Sequence, residues 1–543
     1  MLNLHATLAN LAESDVVGRI WRRDYTVWKP SPEEITDRLG WLDVIDLMRE
    51  QVPALESFAK EVKEAAFRHV VLLGMGGSSL GPEVLRQTFA CAPGYPELTV
   101  LDSIIPTAVR AVTDDIEPTR TLFLLSSKSG STIESNALYK HFRGQVDSAM
   151  GKRQAGSNFV AITDQGSSLE ALAGEQGFRR LFLNPSDLGG RYSVLSYFGL
   201  VPAALMGLDL GAMLDGADVV CKACGPDVPV IDNPGAWLGA VMGEMALCGR
   251  NKLTIVASPS IGSFGLWAEQ LIAESTGKEG KGIILVDSEP ADSAGRSGDD
   301  RLFVYLRLEG DENASTDEEI AGLPSIGQPV VRLDLKNRYE LGGEFFRWEF
   351  ATAVAGSLLS LNPFDQPDVQ RAKTQTDQVL QEYRKSGRLP RPESDSSFSE
   401  LLSQARHGDY LAIMAFVRQT PEVDDRLGSI CRRVLQEHGI ATTLGYGPRF
   451  LHSTGQLHKG GPDTGIFLQL TADRTEDVPI PGEAYTFGVL ADAQALGDLR
   501  ALQELGRRVV RVQLGHEVEM ELDALSRQAW NIEPSGKDFL GIR

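Results

Sequence analysis

The chain has 543 residues, of which 42% are apolar and 23% are charged, so its composition is that of a globular protein of several domains. Its formal net charge of −21 repels phosphate backbones and anionic lipids, which argues against nucleic-acid and membrane partners. No apolar run approaches the roughly 20 residues that span a bilayer, and the start lacks a basic stretch ahead of an apolar core, so we expect a cytoplasmic protein.

Residues 1–55 show no strand signals and are predicted to form an N-terminal helical arm, with a helix start at Ser31. From Val70 onward, short aliphatic runs alternate with helix-like stretches, a pattern typical of buried parallel strands joined by crossover helices. Five such runs lie in residues 56–210 (HVVLLG, LTVLD, TLFLLS, FVAITD, RLFLN) and four in residues 211–385 (KLTIVAS, GIILVD, RLFVYLRL, PVVRLDL). Each series predicts one α/β lobe.

Residues 386–398 are polar and rich in Ser and Pro, so they are predicted to be a linker. A further α/β section, residues 399–543, follows with strands in DYLAIMAFV and GIFLQL and a helix through RLGSICRRVLQEHG. The order strand, polar loop and aromatic-headed helix in residues 329–356 recurs loosely from Gly465 onward. We interpret this recurrence as an internal duplication.

Two loops in the first lobe follow predicted strands and suit an anion. The glycines of GMGGSSLGP, residues 74–82, let the backbone turn sharply before a helix N-terminus, although a plain tight turn is an equal alternative. SKSGST, residues 127–132, places four hydroxyls and a lysine at another helix N-terminus. Because ligands bind at the carboxyl ends of parallel strands, the two loops together favour a phosphorylated small molecule.

Two further motifs carry charged groups. In LGGRYS, two glycines leave the backbone open beside Arg191, which suits a ligand contact, although a structural salt bridge is the commoner fate of an arginine. In AESTGKEGKG, Glu274 is predicted near the C-terminus of an amphipathic helix, where the helix dipole raises its proton affinity. That suits a general base, and a solvated glutamate at a frayed helix end is the alternative.

The last two motifs hold an amide, a lysine and two histidines. In NPFDQPDVQRAK, Gln366 and Lys373 would share one helix face if Pro367 opens a helix. In LHSTGQLHKGGP, the two histidines lack an interleaved carboxylate, which favours an acid/base histidine over a metal ligand. The five cysteines show neither a disulfide framework nor zinc spacing and are expected to be reduced and structural.

The ordered set GMGGSSLGP, SKSGST, LGGRYS, AESTGK and NPFDQPDVQRAK resembles the phosphoglucose isomerase family over residues 70–373. The chain departs from the family's usual residues at two positions, Asp368, where the family has Gly, and Tyr197, where it has a small residue. The helical arm and the C-terminal section resemble the isomerase half of bifunctional transaldolase/phosphoglucose isomerase proteins. We therefore expect a stand-alone relative or one half of a fusion.

The resemblance implies two doubly wound sugar-isomerase lobes that interconvert glucose 6-phosphate and fructose 6-phosphate without metal or organic cofactor. It also implies that Arg191 faces the reacting carbons, that Glu274 is the base, and that the phosphate and the rest of the substrate contact Gly77, Ser78, Ser127, Lys128, Ser129, Thr132, Gln366 and Lys373. The family's ring-opening histidine has no counterpart between Glu274 and Lys373. We assign its role to His458, which heads His-Lys-Gly-Gly-Pro, with His452 as the alternative, and Lys373 as a possible helper.

Two other functions remain open from the sequence. One is an isomerase that also accepts mannose 6-phosphate, and the other is a non-catalytic regulator that binds a sugar phosphate. The joint presence of Glu274, Arg191, Gln366, Lys373 and His458 favours an enzyme over the regulator. The resemblance further implies a homodimer, and a transaldolase domain or a separate transaldolase as a partner.

Overall fold

The computed structural model describes residues 4–287, 289, 298–390 and 397–530. Its strands are β1 (His69–Leu73), β2 (Glu97–Leu101), β3 (Thr121–Ser126), β4 (Phe159–Asp164), β5 (Arg180–Asn184), β6 (Lys252–Ala257), β7 (Ile284–Asp287), β8 (Arg301–Leu308), β9 (Val330–Leu335), β10 (Tyr410–Phe416), β11 (Ala441–Tyr446), β12 (Gly465–Ala472) and β13 (Arg508–Leu514).

The N-terminal half of the chain contains helices α1 (Leu4–Glu13), α2 (Val16–Trp21), α3 (Val44–Glu64), α4 (Leu80–Phe89), α5 (Pro106–Asp115), α6 (Ile133–Met150), α7 (Lys152–Ala155), α8 (Ser168–Glu175), α9 (Tyr197–Leu205), α10 (Leu210–Ala223), α11 (Pro234–Leu247) and α12 (Phe264–Thr276). The C-terminal half contains α13 (Ala314–Gly322), α14 (Leu341–Leu358), α15 (Val369–Ser386), α16 (Phe398–Ser403), α17 (Pro421–His438), α18 (Gly455–Gly460), α19 (Phe487–Glu504) and α20 (Val518–Ala529). Among the described residues, no helix is both long and apolar enough to cross a membrane.

The described strands form three parallel sheets, ordered β2-β1-β3-β4-β5, β7-β6-β8-β9 and β11-β10-β12-β13. In each sheet the first strand along the chain lies between the second and the third. This order places a crevice at the carboxyl ends of the first and third strands of each sheet. The two predicted α/β lobes are thereby confirmed, and the C-terminal section repeats their strand order.

Both faces of the first sheet are buried. Leu72 and Leu124 pack into one apolar cluster with the N-terminal helices and the second lobe. Leu73 and Phe123, on the opposite face, pack with the C-terminal section, for example with Leu490 of α19. Because alternate residues of a strand point to opposite faces, these near-continuous apolar strands are those of a sheet covered on both sides. The N-terminal helices and the second lobe thus cover one face of the first sheet, and the C-terminal section packs on the other face.

The structure differs from the sequence predictions in several places. Residues 31–38 form turns rather than a helix. The boundary that was expected after residue 55 lies inside α3. Strands β11 and β13 were not predicted. Of the predicted linker, residues 391–396 lie outside the described part of the chain, as do residues 531–543 of the C-terminal section.

Helix α15 packs along α19 of the C-terminal section. The contact is closest at Gly497, where a Cβ atom would lie 2.5 Å from Oγ1 and 2.7 Å from the backbone nitrogen of Thr376. A side chain at this position therefore requires the helices to move apart. The C-terminal section is docked on the rest of the protein by this helix pair.

We expect Gly497→Ala to lower the thermal midpoint, because the added methyl group separates α15 from α19 at a cost of about 1–3 kcal/mol. Gly174→Ala in α8 is the matched control, since a Cβ at Gly174 meets no atom within 4 Å. The control is expected to keep or raise the midpoint, because alanine favours helices over glycine. Thermal unfolding followed by circular dichroism compares the two, and an equal midpoint in both variants would contradict the close packing.

Candidate active site

The two predicted anion loops lie side by side at the carboxyl ends of β1 and β3, which are neighbours in the first sheet. The Oγ atom of Ser127 lies 3.0 Å from Oγ1 of Thr132 and accepts a hydrogen bond from the backbone of Gly130 at 3.2 Å. Ser129 is exposed, and its hydroxyl lies 2.9 Å from that of Ser131. These hydroxyls surround the N-terminus of α6, where unpaired N–H groups and the helix dipole attract an anion.

Lys128 of the same loop is held inside the first lobe. Its Nζ atom is paired with the carboxylate of Asp164 and donates to the carbonyl of Ser186 at 2.9 Å. A contact from Lys128 to a phosphate would require this pair to break. Among the predicted substrate-binding residues, Lys128 therefore has the least favourable geometry.

Two glycines allow the first anion loop, residues 74–82, to pack closely against two other segments. Gly76 has φ +56°, a left-handed conformation, and a Cβ there would lie 2.7 Å from the carbonyl oxygen of His452. A Cβ at Gly77 would lie 2.0 Å from the carbonyl oxygen of Gly190, in the turn that carries Arg191. Only glycine permits both approaches. The loop is thus packed between the arginine turn and the histidine turn, with Ser78 partly exposed beside it.

Arg191 is buried, with 3% of its side chain exposed, and it joins three segments. Its Nε atom donates to the hydroxyl of Ser275 at 2.8 Å, and Nη1 lies 3.3 Å from Oε2 of Glu274. Its Nη2 atom donates to the carbonyls of Pro363 and Asp365 at 2.7 and 2.9 Å. The guanidinium is therefore fixed in place beside the carboxylate of Glu274.

Glu274 lies in the last turn of α12, as predicted, and is buried. Burial raises the pKa of its carboxyl, while the charges of Arg191, His452 and Lys278 oppose that rise. Gln270, one turn earlier, lies 3.4 Å from Glu274 and donates to the carbonyl of His452 at 2.9 Å. A buried carboxylate of raised proton affinity beside a fixed guanidinium can accept a proton from carbon.

Lys278 holds the loop that precedes α15. Its Nζ atom donates to the carbonyls of Asn362 and Asp365 and to the carboxylate of Asp365, at 2.8, 2.7 and 2.5 Å. Burial lowers the pKa of Lys278 to about 8. Because Arg191 and Lys278 bind the same stretch of backbone, the 362–365 segment is clamped from two sides.

Gln366 and Lys373 lie beyond that clamped segment. Helix α15 begins at Val369 rather than at Pro367, so Gln366 is in the loop and the predicted shared helix face does not form. Both side chains are exposed. The charge of Lys373 opposes protonation of His452, so the lysine faces the histidine side of the site.

The C-terminal section delivers His452 to the site. Its Nε2 atom lies 2.8 Å from Oε1 of Glu134, in the first turn of α6, and 22% of the side chain is exposed. Burial by itself would lower the pKa of His452, but Glu134 outweighs it and the pKa is raised. Burial would raise the pKa of Glu134, yet His452 and a hydrogen bond from Gln494 bring it down to about 2. The imidazole of His452 is thus partly exposed and is paired with a buried carboxylate that favours its protonated form.

His458 lies in a different environment. It is 3% exposed, and its ring centroid lies 5.9 Å from that of Phe450 and 5.1 Å from that of Phe467. Burial, and then the nearby charge of Lys459, lower the pKa of His458 well below its usual range. A buried neutral imidazole among aromatic rings is poorly placed for contact with a ligand, so the structure favours His452 over the predicted His458.

Sequence reasoning missed Glu134, Gln270 and Lys278. Glu134 resembles an ordinary acidic residue in a first helical turn, which favours any helix N-terminus. Lys278 belongs to the AESTGK motif, but its partners are backbone carbonyls from a distant segment, which no local pattern reveals. In the described ranges, no group of three or more His, Cys, Asp or Glu side chains could hold a metal ion.

Comparison with known proteins gives related sequences and folds. The family model for phosphoglucose isomerase matches residues 38–279. A glucose-6-phosphate isomerase from Rubrobacter xylanophilus is 31% identical over 376 residues, which make up 60% of this chain and 85% of that protein. A hypothetical protein from Thermus thermophilus superposes with a TM-score of 0.59 at 25% identity, covering 71% of this chain and 97% of that one. A glucose-6-phosphate isomerase from Chlamydia trachomatis shares the fold with a TM-score of 0.54 at 20% identity, over 68% and 78% of the two chains.

Glu134→Gln should lower the pKa of His452, because it removes the negative charge that raises it. Titration of the imidazole signals by nuclear magnetic resonance measures this shift. His458, which has no contact with Glu134, is the internal control within the same spectrum. An unchanged titration of His452 in the variant would show that the pair does not form.

The same pair gives a pH window for stability. The lowered pKa of Glu134 stabilises the folded state above the ordinary pKa of 4.5, and this stabilisation is lost as the pH falls toward about 2. The raised pKa of His452 stabilises the folded state below the ordinary pKa of 6.5, and this stabilisation is lost as the pH rises through the raised pKa. The excess stability of the wild type over Glu134→Gln should therefore be largest between pH 4.5 and 6.5, and thermal midpoints across pH test this.

Proposed function

The chain belongs to the phosphoglucose isomerase family, and from that membership we propose that it catalyses the reversible isomerisation of glucose 6-phosphate and fructose 6-phosphate. The observation that carries the proposal is the buried carboxylate of Glu274, 3.3 Å from the guanidinium of Arg191, in a helix that contacts the turn at residues 76–78 of the first anion loop. A binding protein needs the hydroxyl loops, whereas a buried carboxyl of raised pKa next to a fixed cation is the arrangement that proton transfer from carbon requires.

The phosphate is bound by the loops that follow β1 and β3. The N–H groups at the start of α6, together with the hydroxyls of Ser127, Ser129 and Thr132, can donate to its oxygens without a metal ion. Gly77 lets the backbone of the first loop approach the ligand, and Ser78 adds a hydroxyl beside it. Binding at one end of the sugar orients the reacting carbons toward Glu274.

Ring opening precedes proton transfer between carbons. We assign it to His452, since its side chain is partly exposed and its charge is maintained by Glu134. The imidazolium donates a proton to the ring oxygen, and the neutral imidazole that results takes the proton of the anomeric hydroxyl, which is on C1 of glucose 6-phosphate and on C2 of fructose 6-phosphate, as the ring bond breaks to give the open-chain sugar. Lys373 lies on the same side and can contact hydroxyls of the sugar, and Gln366 is exposed in the loop before α15.

Glu274 then removes the proton from C2 and returns it to C1, while one proton passes from the oxygen on C2 to the oxygen on C1, so that the aldose becomes the ketose. Negative charge develops on the oxygens of the cis-enediol during this step, and the guanidinium of Arg191 stabilises it. Because Arg191 is held by the carbonyls of Pro363 and Asp365, it is already oriented before the substrate binds. Such preorganisation lowers the barrier because no dipoles need to reorient during the reaction.

The direct test is a coupled assay of the purified chain with fructose 6-phosphate in the presence of a chelator. We expect formation of glucose 6-phosphate at a rate that the chelator leaves unchanged. Absence of product would refute the isomerase proposal, and loss of activity upon chelation would refute the metal-free site.

Glu274→Gln should lower turnover by at least the ~10²-fold typical of acid/base loss, with sugar-phosphate binding nearly intact. Glu269→Gln is the matched control, because Glu269 lies in the same helix, and burial next to Asp287 also raises its pKa, to about 8. Steady-state kinetics and substrate binding are measured for both variants. A Glu274→Gln enzyme with half the wild-type turnover, or an equal loss in the control, would contradict the assignment of the base.

His452→Ala should lower turnover of the cyclic substrate. It should leave unchanged the exchange of solvent deuterium into a tetrose 4-phosphate, which has no free hydroxyl to close a stable ring. His458→Ala should instead lower the thermal midpoint through lost core packing, with turnover per folded molecule retained. The opposite pattern, with turnover lost only in His458→Ala, would return the role to the histidine that the sequence favoured.

The homodimer, the transaldolase partner and the cytoplasmic location stay predictions from the resemblance and the composition.

A further inference from the structure

A single buried amide joins the three segments that carry the proposed catalytic groups. The side chain of Gln456, in α18, is fully buried. Its Nε2 atom donates to the carbonyl of Gly277 at 2.9 Å and to Oδ2 of Asp368 at 2.6 Å, and its Oε1 atom accepts from the backbone N–H of Asp368 at 2.9 Å. Both amide hydrogens and the amide oxygen are therefore used, as a buried polar group requires.

Each partner of this amide belongs to a different part of the site. Gly277 directly follows α12, which carries Glu274. Asp368 directly precedes α15, which carries Lys373. Gln456 itself follows His452 by one short stretch of the same segment, residues 453–455. The position of the proposed base, the lysine and the ring-opening histidine thus depends on one set of hydrogen bonds.

The surrounding backbone leaves little room for adjustment. A Cβ at Gly460 would lie 2.2 Å from Oδ2 of Asp368, 2.7 Å from Nε2 of Gln456 and 2.8 Å from the carbonyl oxygen of Gly277. The backbone N–H of Gly280 donates to the carbonyl of Gly460 at 2.9 Å, which fixes that chain against the second lobe. Since glycine is needed for this approach, the carboxylate and the amide meet in a close-packed setting.

We infer that the hydrogen-bonded pair of Asp368 and Gln456 is a positioning device that sets His452 of the C-terminal section relative to Glu274 of the second lobe, an inference that rests on the proposed isomerase function. In the part of the chain that the structure describes, Asp368 forms its hydrogen bonds with Gln456, so it acts through that amide. Glycine at this position would leave one hydrogen of a buried amide without its acceptor. The chain carries a carboxylate here because the C-terminal section supplies an amide to bind it.

The experiment compares three single variants of the full chain. Asp368→Gly removes the acceptor, Gln456→Leu removes the amide while keeping similar size, and Asp368→Asn keeps a carbonyl oxygen that can accept from Gln456. With fructose 6-phosphate, Asp368→Gly and Gln456→Leu should lose at least ~10-fold in kcat, because a displacement of about 1 Å can cost ~10²-fold. Asp368→Asn should stay within about 3-fold of the wild type, and KM should change little in all three.

Two further measurements distinguish positioning from a general structural role. Deuterium exchange into a tetrose 4-phosphate, which needs Glu274 but not ring opening, should persist in Asp368→Gly and Gln456→Leu. The double variant should be no slower than the slower single variant, because both substitutions break the same pair. Thermal midpoints verify that each variant is folded.

The inference is overturned if folded Asp368→Gly and Gln456→Leu keep the wild-type kcat, if Asp368→Asn is as slow as Asp368→Gly, or if exchange and ring-dependent turnover fall together. Variants that do not fold would assign the pair to folding instead of positioning, which also overturns it. Failure of the proposed function is separate, since it would appear as a wild-type chain without isomerase activity, measured before any variant.

Discussion

A buried positive charge must be paired on all sides, and Arg191 meets this requirement by joining segments that are far apart in the sequence. Its N–H groups are bound by Glu274 and Ser275 of one helix and by the carbonyls of Pro363 and Asp365. Removal of any of these partners would leave a buried cation partly unpaired, which is strongly unfavourable. The arrangement of the lobes around the crevice therefore depends on this guanidinium, and the base beside it is held in a fixed geometry.

The three sheets share one strand order, yet the loops at their crevices differ in chemistry. In the first lobe, the hydroxyls of residues 127–132 surround the start of α6 and suit an anion. In the C-terminal sheet, α17 follows the first strand and begins with Glu422 and Asp424, whose negative charge disfavours an anion. That section contributes instead the turn of His452, which packs against Gly76 and Gln270. The same strand order thus serves phosphate binding in one lobe and delivery of an acid/base side chain in another.

The predictable part of the fold is the part in which apolar runs are long and continuous. The inner strands of both lobes, and β10 and β12, are fully or largely buried, so their sequences are mostly apolar. In contrast, β11 (ATTLGY) contains two threonines and a glycine, and β13 (RVVRVQL) lies at the sheet edge with partly exposed polar residues. Neither sequence has the apolar pattern of a buried strand, and the pairing of both strands in the sheet is determined by tertiary packing.

The site was likewise predictable only where its residues lie in local sequence motifs. Arg191, Glu274 and the hydroxyl loops lie in local motifs, and the order of strands brings those motifs together. The choice between His452 and His458 was not accessible, because both lie in one short segment and only the packing of Phe450 and Phe467 determines which ring is buried. The partners of Lys278 and Gln456 are distant carbonyls and a carboxylate, and such contacts leave no periodic signal in the sequence.

The charge of the whole chain and the charge of the site have opposite signs. A net charge of −21 repels an anionic ligand at long range, but this repulsion between exposed charges is screened within about 8–10 Å at physiological salt. Arg191, Lys278 and the imidazolium of His452 lie around Glu274, where their charges counter the rise in its pKa. The groups that oppose the rise in the pKa of Glu274 are therefore the same groups that make the crevice attractive to a phosphorylated ligand, so neither role requires a basic protein surface.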